Sequence, residues 1–301
     1  MLQGGGVQLS FGVGLGRDGA DGGPVAAARA AEAAGFDVVT APDHVGAPSP
    51  FVVLAAAAAV TERVRLRTYV LDVGFWNVGL LARDVATLDD LSGGRVEVGL
   101  GAGHMAHEHA VVGLPFPTYR ERLEALDGFA GELAAHLADG DLAPAPAQQP
   151  VPIVLAAMSP SGLEVAARHG ATVALSGLLQ AEGRPGGTFT VATSEQTSQR
   201  VDQVRAARER LGLPPAAFDA LVQQVVVDRD PEEAAGQTAS GSDGVIDADV
   251  LLDSPFVLYA RTPEDAAAEL VARAERFGIT SWCTHAPSGP AMAQVIRVLR
   301  A

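Results

Sequence analysis

Segments rich in apolar and β-branched residues alternate with segments rich in Ala, Leu, Glu and Arg along the whole chain of 301 residues. A strand-like segment and the helix-like segment after it together take roughly 25 to 45 residues, which is typical of parallel β-α units. We predict eight strands, at residues 7–14, 36–41, 64–71, 95–100, 152–157, 171–175, 220–227 and 280–284. Helices are predicted at residues 25–34, 51–61, 78–91, 119–138, 162–169, 194–211, 263–277 and 290–299.

This alternation restricts the fold more than any other feature of the sequence. Eight β-α units in a chain of this length indicate an α/β fold, a single (β/α)8 TIM barrel over residues 1–301. Residues 143–150, 183–193 and 236–254 are longer connections that account for the surplus length. We expect the last two to be insertion loops at the C-terminal face of the barrel, where either can act as a mobile lid.

A glycine pattern offers a competing fold. Gly14, Gly16 and Gly19 spell G-x-G-x-x-G after the first predicted strand, as in doubly wound dinucleotide-binding folds. Those folds place an acidic residue at the end of the second strand, about 20 residues further on. Here the candidate acid, Asp43, comes later and is followed by a histidine. The glycines therefore favour a flexible loop, and the barrel remains the prediction.

The basic residues exclude several enzyme classes. All 21 are arginine, because the chain contains no lysine. Schiff-base aldolases, pyridoxal-phosphate enzymes and P-loop nucleotide-binding proteins, which need a lysine amine, are therefore excluded. A formal net charge of −15 without a basic stripe disfavours nucleic acid and favours small or neutral partners. Cys283 is the only cysteine, so neither an intrachain disulfide nor a thiolate metal cluster can form.

The apolar runs are short. The longest, residues 51–60, falls far below the ~18 to 20 residues that cross a bilayer. The residues before Arg17 carry no basic group, unlike a secretory signal. We therefore expect a soluble, cytoplasmic protein that has neither a membrane nor a nucleic-acid partner.

A carboxylate and an imidazole follow the second predicted strand, as Asp43 and His44. The active site of a TIM barrel lies at the C-terminal ends of its strands, so this pair is a candidate catalytic pair. Such a pair can bind a polar ring edge and move a proton near neutral pH. A solvated turn built on Pro42 and Asp43 explains the same residues and stays an alternative.

Glycines and histidines follow the fourth predicted strand. The alternating Gly101 and Gly103 would let a flat ligand lie against bare backbone. The histidines next to Glu108 have three interpretations: contact with a cofactor or substrate, a role in capping a helix at the barrel rim, and, least favoured, a zinc site. These histidines are His104, His107 and His109.

Small hydroxylated residues follow the fifth and sixth predicted strands. Ser159 or Ser161 caps a helix whose N-terminal amides can hold a phosphate, and Ser176 and Gly177 follow strand six. Phosphate sites late in the barrel are common in this architecture. Simple helix capping by either serine explains the pattern equally well.

Residues 82–103, which read ARDVATLDDLSGGRVEVGLGAG, resemble the strand-four signature of the luciferase-like monooxygenase superfamily, in its F420-dependent branch. Glu108 and residues 113–116 continue the resemblance, and residues 254–265 resemble the segment before the last barrel unit of that family. The resemblance covers nearly the whole chain. It implies a TIM-barrel oxidoreductase that uses the deazaflavin coenzyme F420 or FMN.

The resemblance also implies site residues. It places Asp43 and His44 beside the flavin or deazaflavin ring, with His44, oriented by Asp43, as the proton donor or acceptor. It implies a non-proline cis peptide between Tyr69 and Val70, behind the ring. The residues expected along the ring and its ribityl chain are Gly101, Gly103 and His104.

The chain departs from the family pattern where the cofactor phosphate is expected. Met158 and Ser159 stand where many members carry two glycines, and Leu179 stands near the position of a lysine in some deazaflavin enzymes. Arg17 or Arg184 would then have to replace that lysine. The expected phosphate site consists of Ala157, Met158, Ser159, Ser176 and Gly177.

These features together predict an F420-dependent oxidoreductase that transfers a hydride to or from a small organic substrate. Alternatives are an FMN monooxygenase served by a separate reductase, a cofactor-independent relative that binds a small apolar ligand, and, least favoured, a metal hydrolase. No resident metal is expected. Phe11, Trp76 and His107 are expected to line the substrate mouth, although the sequence does not identify the substrate. The resemblance also implies a homodimer.

Overall fold

The computed structural model describes residues 7–16, 22–139, 142–185 and 187–301. At its centre, parallel strands form a ring. They are β1 (Ser10–Gly14), β2 (Val38–Ala41), β3 (Arg65–Thr68), β4 (Val96–Gly101), β5 (Ile153–Ala156), β6 (Thr172–Leu175), β7 (Ala217–Val222) and β8 (Ser281–Thr284).

The strand pairing closes the ring. Each strand pairs in parallel with the next, and β8 pairs with β1. Gly12 of β1, for example, lies opposite Val38 on one side and Cys283 on the other. A closed ring of eight parallel strands alternating with helices is the TIM-barrel architecture, so the predicted fold is confirmed.

Helices alternate with the strands. They are α1 (Gly23–Ala34), α2 (Pro50–Ala58), α3 (Val78–Ser92), α4 (Ala106–Val111), α5 (Tyr119–Ala138), α6 (Pro160–His169), α7 (Ser194–Arg210), α8 (Pro231–Ser240), α9 (Ala248–Asp253), α10 (Pro263–Phe277) and α11 (Gly289–Leu299). The sequence pattern does not predict α4, α8 or α9. Two of them, α4 and α9, are six residues long, which is too short to show a helical period.

The seventh strand differs from its prediction. It begins at Ala217 and ends at Val222, whereas the sequence predicted residues 220–227. At Gln223 the chain leaves the barrel, because the backbone N–H of that residue donates to the Phe256 carbonyl at 2.7 Å. The next strand, Gln224–Val226, pairs with Val257–Tyr259 outside the barrel. One apolar run thus forms two strands, which hydrophobicity alone does not separate.

The predicted insertion loops are folded elements. Leu178–Gln180 and Phe189–Val191 form an antiparallel hairpin, and helices α8 and α9 occupy much of the later insertion. We call this hairpin together with α8 and α9 the insertion lobe. A second hydrophobic cluster joins the lobe to the strand Val257–Tyr259, and its buried residues are Val191, Ala235, Leu251 and Val257.

Charged side chains occupy the inside of the barrel. Arg67 of β3 donates through Nη1 to Oδ1 of Asp219 in β7 at 2.8 Å, and through Nε to Oε2 of Glu97 in β4 at 2.5 Å. Arg65 also donates to Glu97. Two guanidinium groups therefore face two carboxylates, and these charges connect strands on opposite sides of the ring.

Asp219 is the most connected group of this network. It is fully buried and accepts hydrogen bonds from the hydroxyls of Tyr69 and Ser281 and from the thiol of Cys283, in addition to Arg67. Desolvation, reinforced by the charge of Asp219, raises the pKa of the Tyr69 phenol and of the Cys283 thiol well above their ordinary values. Both groups therefore stay protonated and serve as donors to the carboxylate.

Within the described residues, no helix combines the length and the apolar character that a membrane span requires.

We predict that Arg67→Met lowers the free energy of unfolding by about 3–5 kcal/mol, because it leaves two buried carboxylates short of a counter-charge. Denaturant unfolding followed by circular dichroism measures this loss. Arg83→Met is the matched control, since Arg83 pairs with Asp84 on the surface and its loss should cost less than about 1 kcal/mol. Equal losses in the two variants would show that the barrel network carries no special stability.

Candidate active site

Asp43 follows β2 at the C-terminal end of the barrel. Its Oδ2 accepts hydrogen bonds from Nε1 of Trp76 at 2.8 Å and from the backbone N–H of Asp72 at 3.2 Å. Burial raises the pKa of the Asp43 carboxyl, and the hydrogen bond from Trp76 opposes that rise. In the described structure Asp43 therefore anchors the segment after β3. The hydrogen bonds of Asp43 go to Trp76 and Asp72 and not to His44, and an orienting effect of Asp43 on His44 stays a prediction.

Glu108 holds His44 instead. Nδ1 of His44 lies 3.1 Å from both carboxylate oxygens of Glu108, which is buried in helix α4. Because a carboxylate accepts the proton on Nδ1, the neutral imidazole keeps Nε2 free of a proton. The His44 side chain is 42% exposed, so this basic nitrogen belongs to a ring that solvent and small molecules can reach.

A second imidazole lies beside this pair. The ring of His104 meets the ring of His44 edge to face, with centroids 5.7 Å apart. Burial, reinforced by the nearby charge of His44, lowers the pKa of His104. His104 is therefore neutral near pH 7, and an uncharged imidazole lies beside the pair of His44 and Glu108.

The segment after β3 lies against β4. The peptide bond between Tyr69 and Val70 is cis, as predicted. The Val70 side chain packs where Cβ atoms of Gly99 and Gly101 would be, at 3.0 and 2.8 Å, and a Cβ on Gly99 would also lie 2.0 Å from the Thr68 carbonyl oxygen.

Gly103 makes room for the same segment. It has a φ of +71°, and a Cβ there would lie 2.0 Å from Oδ2 of Asp72. Contrary to the prediction, the alternating glycines do not leave bare backbone for a flat ligand, because Val70 and Asp72 of this chain fill the space beside them. Contact of Gly101 and Gly103 with a cofactor stays a prediction.

His109 fixes helix α4. Its Nε2 lies 2.9 Å from Oδ2 of Asp72, and its Nδ1 lies 2.8 Å from the carbonyl oxygen of Pro115. His109 is buried and next to Glu108 on α4, so its contact with Asp72 also fixes where Glu108 meets His44. Glu108 is part of the family resemblance in the sequence. The sequence does not reveal that Glu108 pairs with His44, because that pairing depends on the long-range contact between His109 and Asp72.

The turn between β5 and α6 gathers polar groups. Oγ of Ser159 accepts from the backbone N–H of Gly162 at 3.0 Å and caps α6, and it lies 2.5 Å from the Tyr119 hydroxyl and 3.4 Å from Oγ of Ser161. Nε of Arg200 donates to the Met158 carbonyl at 3.0 Å. Burial lowers the pKa of Arg200, and no carboxylate among the described residues accepts from it.

Arg200 is the cation at this turn, which the sequence reasoning missed. Of the two arginines considered there, Arg17 lies outside the described residues, and Arg184 donates to the Gly244 carbonyl at 2.7 Å within the insertion lobe. Arg200 stands in the second turn of α7, and α7 packs against α6. The adjacency of consecutive barrel helices is the signal that would have found it.

Of the other residues expected at the phosphate site, some lie in that turn and the rest follow β6. Met158 and Leu179 are half-buried and pack against the barrel core. The Ser176 carbonyl accepts from Nε2 of Gln223, and its hydroxyl accepts from Leu178 N–H. Gly177 is required as glycine, because it has a φ of +72° and a Cβ there would lie 2.0 Å from the Phe256 ring.

The three residues expected to line the substrate mouth are not together. Phe11 is only 1% exposed and belongs to the hydrophobic core, because it alternates with Gly12, which faces Cys283 inside the barrel. The prediction that Phe11 lines the mouth is therefore wrong. Trp76 lies beside Asp43, and His107 is exposed on α4. Their contact with a substrate stays a prediction.

No three His, Cys, Asp or Glu side chains of the described residues are grouped so that they could hold a metal ion. His104 faces His44, whereas His109 is occupied by Asp72 and Pro115. The histidines after β4 therefore do not converge.

The sequence profile of a family described as luciferase-like monooxygenase matches residues 22–281. The chain belongs to the luciferase-like monooxygenase family. The closed parallel barrel agrees with this family, and the pair of His44 and Glu108 lies at its C-terminal mouth.

Two curated relatives are F420-dependent glucose-6-phosphate dehydrogenases. The one from Beutenbergia cavernae is 37% identical over 165 residues, which are 46% of this chain and 48% of that protein. The one from Amycolatopsis mediterranei is 32% identical over 164 residues, 46% of this chain and 49% of that protein. The matched segment thus spans about half the length of each relative.

Solved structures share the fold along nearly the whole chain. An F420-dependent secondary alcohol dehydrogenase, in complex with an F420-acetone adduct, covers 98% of this chain and 100% of its own, with a TM-score of 0.76 and 17% identity. An EDTA monooxygenase from Chelativorans sp. BNC1 gives a TM-score of 0.76 at 15% identity, covering 97% of this chain and 94% of its own. At such identities the likeness shows the fold alone.

We predict that Gly99→Ala destabilises the protein by about 1–3 kcal/mol, because its Cβ would overlap the Thr68 carbonyl. Gly128→Ala is the control: Gly128 is an exposed residue of helix α5 with open space around it, and alanine there should stabilise by up to about 1 kcal/mol. Thermal unfolding compares the two. If Gly99→Ala were as stable as Gly128→Ala, the packing of the segment after β3 against β4 would be wrong.

Proposed function

We propose that this chain is an F420-dependent oxidoreductase that exchanges a hydride with a small organic substrate at the C-terminal mouth of the barrel. The observation that carries the proposal is the pairing of His44 with Glu108, which supplies a proton donor and acceptor at that mouth. Membership of the luciferase-like family and two relatives named for F420 support the cofactor.

The turn between β5 and α6 fits the phosphate that F420 and FMN both carry. The N-terminal amides of α6 and the hydroxyls of Ser159, Ser161 and Tyr119 are donors of the right kind. Arg200 adds a positive charge that no carboxylate of the described residues neutralises. Met158 does not block the turn, because its side chain packs against the core. These residues would hold the phosphate.

Bound F420 would supply the hydride chemistry, which no side chain can perform. The chain itself moves the proton. Nε2 of His44 accepts the hydroxyl proton of an alcohol in the oxidative direction, and the imidazolium that results is stabilised by the Glu108 carboxylate. In the reductive direction the protonated His44 returns that proton to the carbonyl oxygen. Asp43 keeps Trp76 and the segment after β3 in place.

The first test is an equilibrium titration of the purified protein with F420 and with FMN, followed by fluorescence. Tight binding of F420 is expected. A preference for FMN would replace the proposal with a monooxygenase that receives reduced flavin from a separate reductase. Binding of neither would favour a cofactor-independent relative that binds a small apolar ligand.

We predict that Arg200→Met weakens F420 binding by about 10- to 100-fold, because a charge-assisted hydrogen bond to the phosphate is lost. Affinity for the corresponding deazaflavin without phosphate and tail should not change. Arg210→Met, which removes an exposed arginine of the same helix that pairs with Glu164, is the control. If Arg200→Met weakened F420 and the phosphate-free deazaflavin equally, the phosphate would bind elsewhere.

We predict that His44→Ala lowers turnover by about 10²- to 10⁴-fold while F420 affinity stays within a few-fold, because general acid–base catalysis is removed. Glu108→Gln should lower turnover less, by about 10-fold or more, since the histidine remains but its partner carries no charge. F420 absorbance with an accepted alcohol or ketone measures both. His136→Ala, an exposed histidine on α5, should have no effect. Parallel losses of turnover and cofactor affinity would mean that His44 only shapes the pocket.

A further inference from the structure

A cavity of about 590 Å³ lies between the ends of β7 and β8 and the insertion lobe. It opens at the same end of the barrel as His44, because the residues that line it follow the C-terminal ends of these strands. Its size lies within the range of small-molecule sites. Half of its lining is aliphatic, contributed by Leu178, Val191, Val225, Ile246, Leu251 and Val257.

The polar groups of this cavity are uncharged and have fixed orientations. The Ser176 carbonyl accepts from Nε2 of Gln223 at 2.7 Å, which leaves the Gln223 oxygen toward Nε2 of His285 at 3.2 Å. That oxygen can only accept, so Nε2 of His285 carries the proton and Nδ1 is an acceptor. Desolvation lowers the pKa of His285, which keeps the ring neutral.

Gln224 supplies the complementary donor. Its side-chain oxygen accepts from the Tyr259 hydroxyl at 2.7 Å and from the Thr238 hydroxyl at 3.0 Å. The amide nitrogen of Gln224 forms no hydrogen bond within the described part of the chain. The lining thus includes a neutral acceptor, on His285, and a neutral donor, on Gln224.

No carboxylate or guanidinium belongs to the described residues that line the cavity. Arg184 does not line the cavity, and its Nη2 donates to the Gly244 carbonyl. A phosphate or carboxylate ligand would therefore lose its hydration without gaining a counter-charge from these residues, at a cost of several kcal/mol. A hydroxyl or carbonyl group on an apolar body would lose little.

We propose that this cavity binds an uncharged, mostly apolar molecule whose hydroxyl or carbonyl group meets His285 and Gln224. That this molecule is the substrate rests on the proposed function. Such a ligand differs in charge from glucose 6-phosphate, a dianion, after which the two relatives are named. The aliphatic lining contributed by the insertion lobe is the feature that selects the neutral ligand.

The test is displacement of a neutral fluorescent probe, N-phenyl-1-naphthylamine, from the cofactor-free protein. We expect the probe to bind, indan-1-ol to displace it, and glucose 6-phosphate to leave it bound. Ile246→Trp, which fills the cavity, should weaken probe binding by about 10-fold or more. Leu252→Trp is the matched control, because Leu252 is an exposed residue of α9 that does not line the cavity.

The hydrogen bonds proposed for His285 and Gln224 are tested separately. His285→Ala and Gln224→Leu should weaken indan-1-ol by about 3- to 10-fold, the value of one hydrogen bond, and leave indane, which lacks the hydroxyl, unchanged. Absence of probe binding, displacement by glucose 6-phosphate, or equal weakening by Ile246→Trp and Leu252→Trp would each overturn the proposal. The assay contains no cofactor, so failure to bind F420 would overturn the proposed function and leave this result standing.

Discussion

The buried charge network of Arg67, Asp219 and Glu97 determines much of the structure above it. Each of these side chains would be costly to bury alone, and together they join β3, β4 and β7 across the barrel. Asp219 also accepts from the Tyr69 hydroxyl, so the network continues to the first residue of the cis peptide. The position of the segment after β3 is thereby set from inside the barrel.

Short contacts of that segment in turn position the residues of the candidate site. Val70 packs against Gly99 and Gly101, and Asp72 fits against Gly103 and contacts His109. His109 and Glu108 are neighbours on α4, so the contact that fixes one also presents the other to His44. The pairing of His44 with Glu108 thus depends on a helix of six residues, which the contact between the buried His109 and Asp72 holds in place.

The sequence predicted the architecture because hydrophobic period, helix length and the count of β-α units all agree. It also predicted Asp43 and His44 at the mouth, since residues that follow a barrel strand lie there. It could not predict that Glu108 rather than Asp43 holds His44, because the decisive contact joins residues far apart in the chain. Arg200 was missed and Phe11 was misplaced for a related reason: local patterns do not show which way a helix or strand faces.

The mouth of the barrel is polar on one side and apolar on the other, and this difference has a chemical consequence. On the side of β2 and β4 lie the exposed His44, the buried Glu108 that pairs with it, and the neutral His104. On the side of β7 and β8 the insertion lobe supplies an aliphatic wall. A small apolar body bound to that wall would place its single polar group beside His285 and Gln224, which line the same cavity. The strands of the barrel thus set where His44 and Glu108 meet, and the insertion lobe supplies part of the aliphatic wall on the other side of the mouth.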